Sequence, residues 1–225
     1  MSLTSRGAAP TALTPQSKGS PGHGLRRVGA VTALVVFTHP KPDQFARELL
    51  DVTVDGLVAA GHEVNVVDLY RENFEAAMTC DEWRTYPTSQ PTVANARYAD
   101  LVREAEVIAF VFPMWWSGPP SMLKGFFDRV LAPGVAFDLA DTGRVSPGLR
   151  HVRNIAVVTA AEPPGHFPQR STRHLARAFG RSLRRATGLR TRTLVCWAGP
   201  GEAATNDEKR ARFLRRTGER LAALR

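Results

Sequence analysis

The chain holds only two cysteines, Cys80 and Cys196. Cys196 falls inside an apolar run with strand character, so neither a disulfide framework nor a zinc cluster can be assembled. A reducing, cytoplasmic setting is expected from that scarcity. No apolar segment reaches the roughly 18 residues that a membrane span needs. The absence of Gly-x-Gly-x-x-Gly excludes the dinucleotide fingerprint of a Rossmann unit. Missing as well is any convincing Ser/His/Asp, Cys/His or metal-ligand constellation. Acidic residues are outnumbered, 21 against 30 lysines and arginines, for a net charge of +9. Such an excess attracts nucleotide phosphates, nucleic acid or an acidic membrane surface, and by itself does not choose among them.

What is present suits one domain: 225 residues with 43% hydrophobic content, enough to bury roughly 70–73% of the unfolded surface. Residues 1–27 are rich in Ser, Thr, Pro and Gly, with Leu3, Leu13 and Leu25 as their only large aliphatics. They are expected to form a disordered extension ahead of a domain over 28–225. Arg26 and Arg27 before the apolar run Val28 to Phe37 mimic an export signal, but the run ends in His-Pro-Lys-Pro without a small-residue cleavage site. Its β-branched content predicts a buried first strand instead.

Beyond that extension, short apolar runs at Val31–Phe37, Glu63–Leu69, Val107–Phe112, Ile155–Thr159 and Arg192–Trp197 alternate with helix-length amphipathic segments. Four of the runs are almost continuously apolar, as parallel strands covered on both faces must be. Helices are expected at about 44–60, 92–104, 119–131, 169–187 and 205–224, with Gly61 stopping the first and Pro119-Pro120 starting the third. This alternation predicts an α/β fold, a doubly wound five-stranded parallel sheet in the flavodoxin-like order 2-1-3-4-5. Within the fourth helix Arg173, Arg177, Arg181 and Arg185 repeat every four residues, while Leu175, Phe179, Ser182, Leu183 and Ala186 fall largely on the other side. That pattern reads as a solvated basic face. It carries no interleaved aromatics and no nucleic-acid motif, so a nucleic-acid partner is not expected.

In a doubly wound sheet ligands sit beyond the carboxyl ends of the strands at the switch point, here after the first and third strands. The first of these loops, Thr38-His39-Pro40-Lys41-Pro42-Asp43, leads into a helix whose N–H groups at Gln44, Phe45 and Ala46 would face an anion, with Lys41 or His39 adding positive charge. A proline-stiffened turn with a surface histidine explains the segment equally well. The second loop runs from Phe112 through Pro113, Met114, Trp115, Trp116, Ser117, Gly118, Pro119 and Pro120. Adjacent tryptophans in a Pro/Gly-framed loop must pack on something, whether protein, a dimer partner or a planar ligand.

Read as a string, Pro113-x-x-Trp116-x-Gly118-x-Pro120, then Leu123-Lys124-Gly125-Phe126-Phe127-Asp128-Arg129-Val130, then Pro133-Gly134-Val135-Ala136-Phe137, resembles the NAD(P)H:quinone oxidoreductases, a family of flavodoxin-like flavoproteins. The resemblance extends over about Val31 to Thr159 and takes in His39 and Asp68-Leu69-Tyr70. It implies a flavin, FAD or FMN, whose phosphate end is held by His39, Gln44, Phe45 and Ala46. Pro113, Met114, Trp115, Trp116 and Ser117 would line the ring, and Thr159, Ala160, Ala161 and Glu162 would close over it. The family's Ser-Phe-Asn is replaced here by Gln44-Phe45-Ala46, and its Thr-Thr-Gly-Gly by Thr159-Ala160-Ala161-Glu162. His166 lies about where the family has a quinone-pocket tyrosine, and two readings stay open for it: a hydrogen-bond donor to a reduced quinone oxygen, or a surface histidine of a Pro/Gly loop. The resemblance further implies NAD(P)H as donor, a quinone-like acceptor reduced by two electrons and a homodimer. An azo or nitro reductase and a flavin-binding regulatory subunit of potassium efflux remain open alternatives.

Overall fold

The computed structural model describes residues 32–86, 95–116, 118–140, 142–161, 169–188, 190–199 and 206–224. The expected extension over 1–27, together with Ser117, Glu162 and His166, lies outside them. In chain order the elements are β1 (Thr32–Phe37), α1 (Gln44–Ala59), β2 (Glu63–Asp68), α2 (Cys80–Thr85), α3 (Ala96–Glu104), β3 (Val107–Met114), α4 (Ser121–Arg129), β4 (Phe137–Leu139), β5 (Val145–Pro147), β6 (Asn154–Ala161), α5 (Gln169–Thr187), β7 (Arg192–Ala198) and α6 (Asp207–Ala222). The five parallel strands lie in the order β2-β1-β3-β6-β7, which is the expected 2-1-3-4-5 once a small hairpin is counted. That hairpin, β4 against β5, pairs Leu139 with Val145 around Gly143, whose φ of 77° suits a residue without Cβ. Neither the hairpin nor the six-residue α2 was expected from periodicity.

Every residue of β1 and β3 is buried, because alternate side chains enter two separate cores. Leu34, Val36, Ile108, Phe110 and Phe112 meet Leu123 and Phe126 of α4 on one face. Ala33, Val35, Ala109 and Val111 meet Leu49 and Leu57 of α1 and Leu221 of α6 on the other. The first face is aromatic, with Phe110, Phe112, Phe127 and Phe179 in edge-on or tilted contact. The second is thin: a Cβ on Gly56 of α1 would stand 2.7 Å from the Leu221 Cβ and 3.1 Å from the Gly218 carbonyl of α6. Gly61 has φ 92° just beyond α1 and its N–H bonds back to Val58, ending the helix as its position predicts. Arg177, Arg181 and Arg185 are exposed on α5 as expected, but so is Ser182.

No helix among the described residues is long and apolar enough to cross a membrane, and no group of three or more His, Cys, Asp or Glu there could hold a metal ion.

Candidate active site

Parallel pairing brings the carboxyl ends of β1, β3 and β6 to one edge of the molecule. The Thr38 N–H donates to the Val111 carbonyl at 2.9 Å, and Pro113 and Met114 pair in register with Ala160 and Ala161. The loop after β1 and the loop after β3 meet directly: the rings of His39 and Trp115 stand 6.5 Å apart, tilted by 59°. Sequence positions 39, 113–116 and 159–161 therefore lie together at one edge of the sheet.

The start of α1 differs from expectation in one respect. Asp43 is the N-cap, and its carboxylate accepts the Ala46 N–H at 2.7 Å. That N–H is thus consumed by the helix's own cap, leaving those of Gln44 and Phe45 as the outward donors. The side chains at this end turn elsewhere. Phe45 is buried among α6 residues, 6.4 Å from the Phe213 ring and under the Arg210 guanidinium, Ala46 is buried, and Gln44 bonds Glu48 one turn on. Of residues 44–46, only backbone is available here to an anion.

The double tryptophan is resolved by a tight turn. Trp115 and Gly118 exchange two backbone bonds, N–H to carbonyl at 3.0 and 2.8 Å, which places Trp116 at a corner with φ 48°. A left-handed conformation is costly for a residue with a Cβ. It turns the Trp116 side chain out, 89% exposed, while Trp115 is half-buried and Met114 enters the aromatic core. Trp116 is thus largely exposed, where an aromatic side chain is ordinarily covered. At the same edge two hydroxyls, Thr38 Oγ1 and Thr159 Oγ1, are buried with no hydrogen-bond partner among the described residues. An orphaned buried hydroxyl is destabilising unless something completes it.

Behind this edge lies a support that sequence reading missed. Thr79 caps α2 in a reciprocal box with Glu82, and Glu82 also takes bonds from the Arg129 Nε and NH2 at 2.7–3.1 Å and from the Asn95 amide at 3.1 Å. Both charged side chains are nearly sealed from solvent, at 5% and 10% exposure. Burial pushes the Glu82 carboxyl up, but the Arg129 and Thr79 hydrogen bonds and the guanidinium charge outweigh it and hold the group below its ordinary value. The Arg129 NH1 also bonds the Glu75 carbonyl, and its guanidinium covers the Phe74 ring at 5.5 Å. The spacing Thr79-x-x-Glu82 was the readable signal. After β2, the Asp68 carboxylate accepts the N–H of Tyr70 and Arg71, fixing the Asp68-Leu69-Tyr70 turn, where burial raises the Tyr70 phenol.

Comparison with known proteins bears on the fold. Ribosyldihydronicotinamide dehydrogenase (quinone) of Homo sapiens is 37% identical over 124 residues, 47% of this chain and 53% of that protein. An uncharacterized NAD(P)H oxidoreductase of Escherichia coli K12 is 31% identical over 106 residues, 46% of this chain and 54% of its own length. The chain spans about half the length of the curated relatives it matches. Among solved structures, the NAD(P)H:quinone oxidoreductase of Methanothermobacter marburgensis superposes with a TM-score of 0.69 at 25% identity, covering 86% of this chain and 96% of that one. The model of a family described as having the flavodoxin-like fold matches residues 32–221, and with that span covering most of the sequence, the chain belongs to the flavodoxin-like fold family.

Proposed function

We propose that this chain is a flavin-dependent oxidoreductase that oxidises NAD(P)H and reduces a quinone or similar flat aromatic electrophile by two electrons. Overall, NAD(P)H, a proton and the quinone give NAD(P)+ and the hydroquinone. The observation that carries the proposal is the Trp115–Gly118 turn: it belongs to the string shared with the quinone oxidoreductases, and it presents an exposed indole in the loop after β3, while Thr38 and Thr159 at the carboxyl ends of β1 and β6 keep unpartnered buried hydroxyls. The names of the relatives support the same reading.

The residues present fit a planar group with an anionic tail. Bound at this edge, a flavin, FAD or FMN, would supply the hydride chemistry. The N–H groups of Gln44 and Phe45 at the positive end of α1 would receive its phosphate, with Asp43 limiting how much negative charge the spot accepts and His39 flanking it. Backbone groups of Pro113 to Ser117 would line the ring's polar edge, and Thr38 and Thr159 would gain the partners they lack. Trp115 and Trp116 would exclude water and favour flat substrates. Thr159, Ala160, Ala161 and Glu162 would close the third side, and His166 would donate a hydrogen bond to the quinone oxygen as negative charge develops there. We further propose a cytoplasmic homodimer, in which the exposed Trp116 and the Trp83–Tyr86 stack are covered by the second copy.

The test begins with the absorbance spectrum of the purified full chain and identification of the chromophore released on denaturation, which distinguishes FAD from FMN. Loaded protein should oxidise NADH, NADPH or ribosyldihydronicotinamide only when a benzoquinone or naphthoquinone is supplied, with ping-pong kinetics. Trp116→Ala should keep the fold and weaken flavin binding by about threefold to tenfold, the loss expected from one stacked aromatic. Protein that binds neither flavin at micromolar concentration would end the assignment, and flavin binding without turnover would favour the regulatory alternative.

A further inference from the structure

At the edge of the sheet farthest from β2, the chain leaves a basic groove that the proposed redox site does not use. Its volume is about 660 Å³, and it lies along β7 between α5 and α6, with Arg177, Lys209, Arg212, Arg216, Arg220 and Trp197 on its walls. Of these cations, Arg212 is paired with Glu208 and Arg220 reaches the β7 backbone. Arg177, Lys209 and Arg216 have no ion-pair partner among the described residues.

The floor of the groove is an open strand edge. The Arg192 N–H donates inward to the Arg153 carbonyl at 2.9 Å, so in a parallel ladder the alternate residues Thr193, Val195 and Trp197 direct their backbone groups outward. The Arg220 NH1 confirms that direction by donating to the Val195 carbonyl at 3.0 Å from the open side. β7 ends the sheet, and among the described residues no strand pairs with its outer edge. An unpaired edge is a template for another strand.

We propose that this groove docks an extended acidic segment of a partner protein, which adds to β7 as a further parallel or antiparallel strand. Two spacings support that occupant. Arg212, Arg216 and Arg220 recur every four residues along α6, about 6 Å apart, while alternate side chains of an extended peptide recur about every 6.6 Å. Carboxylates at alternate positions would therefore meet the three guanidinium groups in turn while the peptide backbone pairs with β7. Arg220 holds the Val195 carbonyl in the meantime; an incoming N–H takes over that acceptor and frees the guanidinium for a carboxylate. The chain's own residues 1–31 contain no Asp or Glu, but do contain Arg6, Lys18, Arg26 and Arg27, so charge rejects them as the occupant.

Fluorescence anisotropy with the full chain tests the idea. The probe is a labelled eight-residue peptide alternating glutamate and valine, compared with the same peptide N-methylated at every second amide and with an eight-nucleotide oligothymidylate. The glutamate peptide should bind. N-methylation on the edge that pairs with β7 should abolish binding, and Arg212→Ala with Arg216→Ala should weaken it about tenfold, as expected for the loss of two exposed ion pairs. Both arginines are exposed on α6, so the fold should survive, as circular dichroism would check. Equal binding of the methylated peptide, or none by the glutamate peptide, overturns the proposal. Tighter binding of the oligothymidylate that is lost in the double variant reassigns the groove to nucleic acid. A concentration-dependent self-association lost in that variant reassigns it to a second copy of the chain.

Discussion

At the scale of single residues, Gly125 shows how a side chain that is not there positions the site. It lies in the interior of α4, where glycine costs about 1 kcal/mol relative to alanine. A Cβ at this position would stand 2.2 Å from the Ala76 carbonyl oxygen and 2.5 Å from the Ala76 Cα. Both are backbone atoms, so the clash cannot be relieved by a rotamer change. The glycine lets the segment after β2 lie directly on the helix that follows the Trp115–Gly118 turn. Gly125→Ala should therefore destabilise the fold by about 1–2 kcal/mol, overpacking exceeding the gain in helix propensity. Thermal unfolding followed by circular dichroism measures this, and a melting temperature that rises instead would show that the segment over Ala76 gives way freely. Trp116 is the opposite case: a bulky residue is kept in a conformation that glycine would occupy without strain.

Among elements, α2 and its buried ion pair do the bracing. Glu82 is held below the ordinary carboxylate value, so its contribution is fully present above the unfolded value of about 4.3 and is lost as pH falls through the folded value. Glu82→Gln leaves Arg129 buried without its counter-charge and should cost about 3 kcal/mol at pH 7. Urea unfolding at a series of pH values should show that difference narrowing as wild-type Glu82 is itself protonated; a gap that stays constant to pH 3 would sink this account. The same elements mark how far the sequence can be read. Strands β1, β3 and β6 were legible because burial on two faces demands unbroken apolar runs, and α5 spans 169–187 as its pattern predicts. The six residues of α2 and the three-residue strands of the hairpin are too short to show a period. Arg129 and Glu82 are 47 positions apart, and nothing local in the chain announces such a pairing. Topology points to the loops after β1 and β3 as the candidate site, and the resemblance proposes its residues, but the consumption of the Ala46 N–H by Asp43 depends on cap geometry. Aspartate immediately before a helix is the local signal for it.

On the scale of the whole molecule, the described core begins with β1 at Thr32, and residues 1–27 are expected to lie outside it. Deleting those residues should leave flavin occupancy and melting temperature unchanged. A fall above about 3 °C, equivalent to roughly 1 kcal/mol for a chain of this size, would show that the segment packs on the domain. The thin face of the sheet carries a different implication. α1, near the beginning of the domain, is covered by α6, near its end, through Leu221 and the close approach at Gly56 and Gly218. The His62 Nε2 lies 2.8 Å from the Leu224 carbonyl at the same seam. During synthesis this half of the core therefore stays open to water until α6 has left the ribosome. The nascent chain must carry β1 and α1 with an uncovered apolar face until α6 follows, an interval in which that face is open to aggregation or to a chaperone.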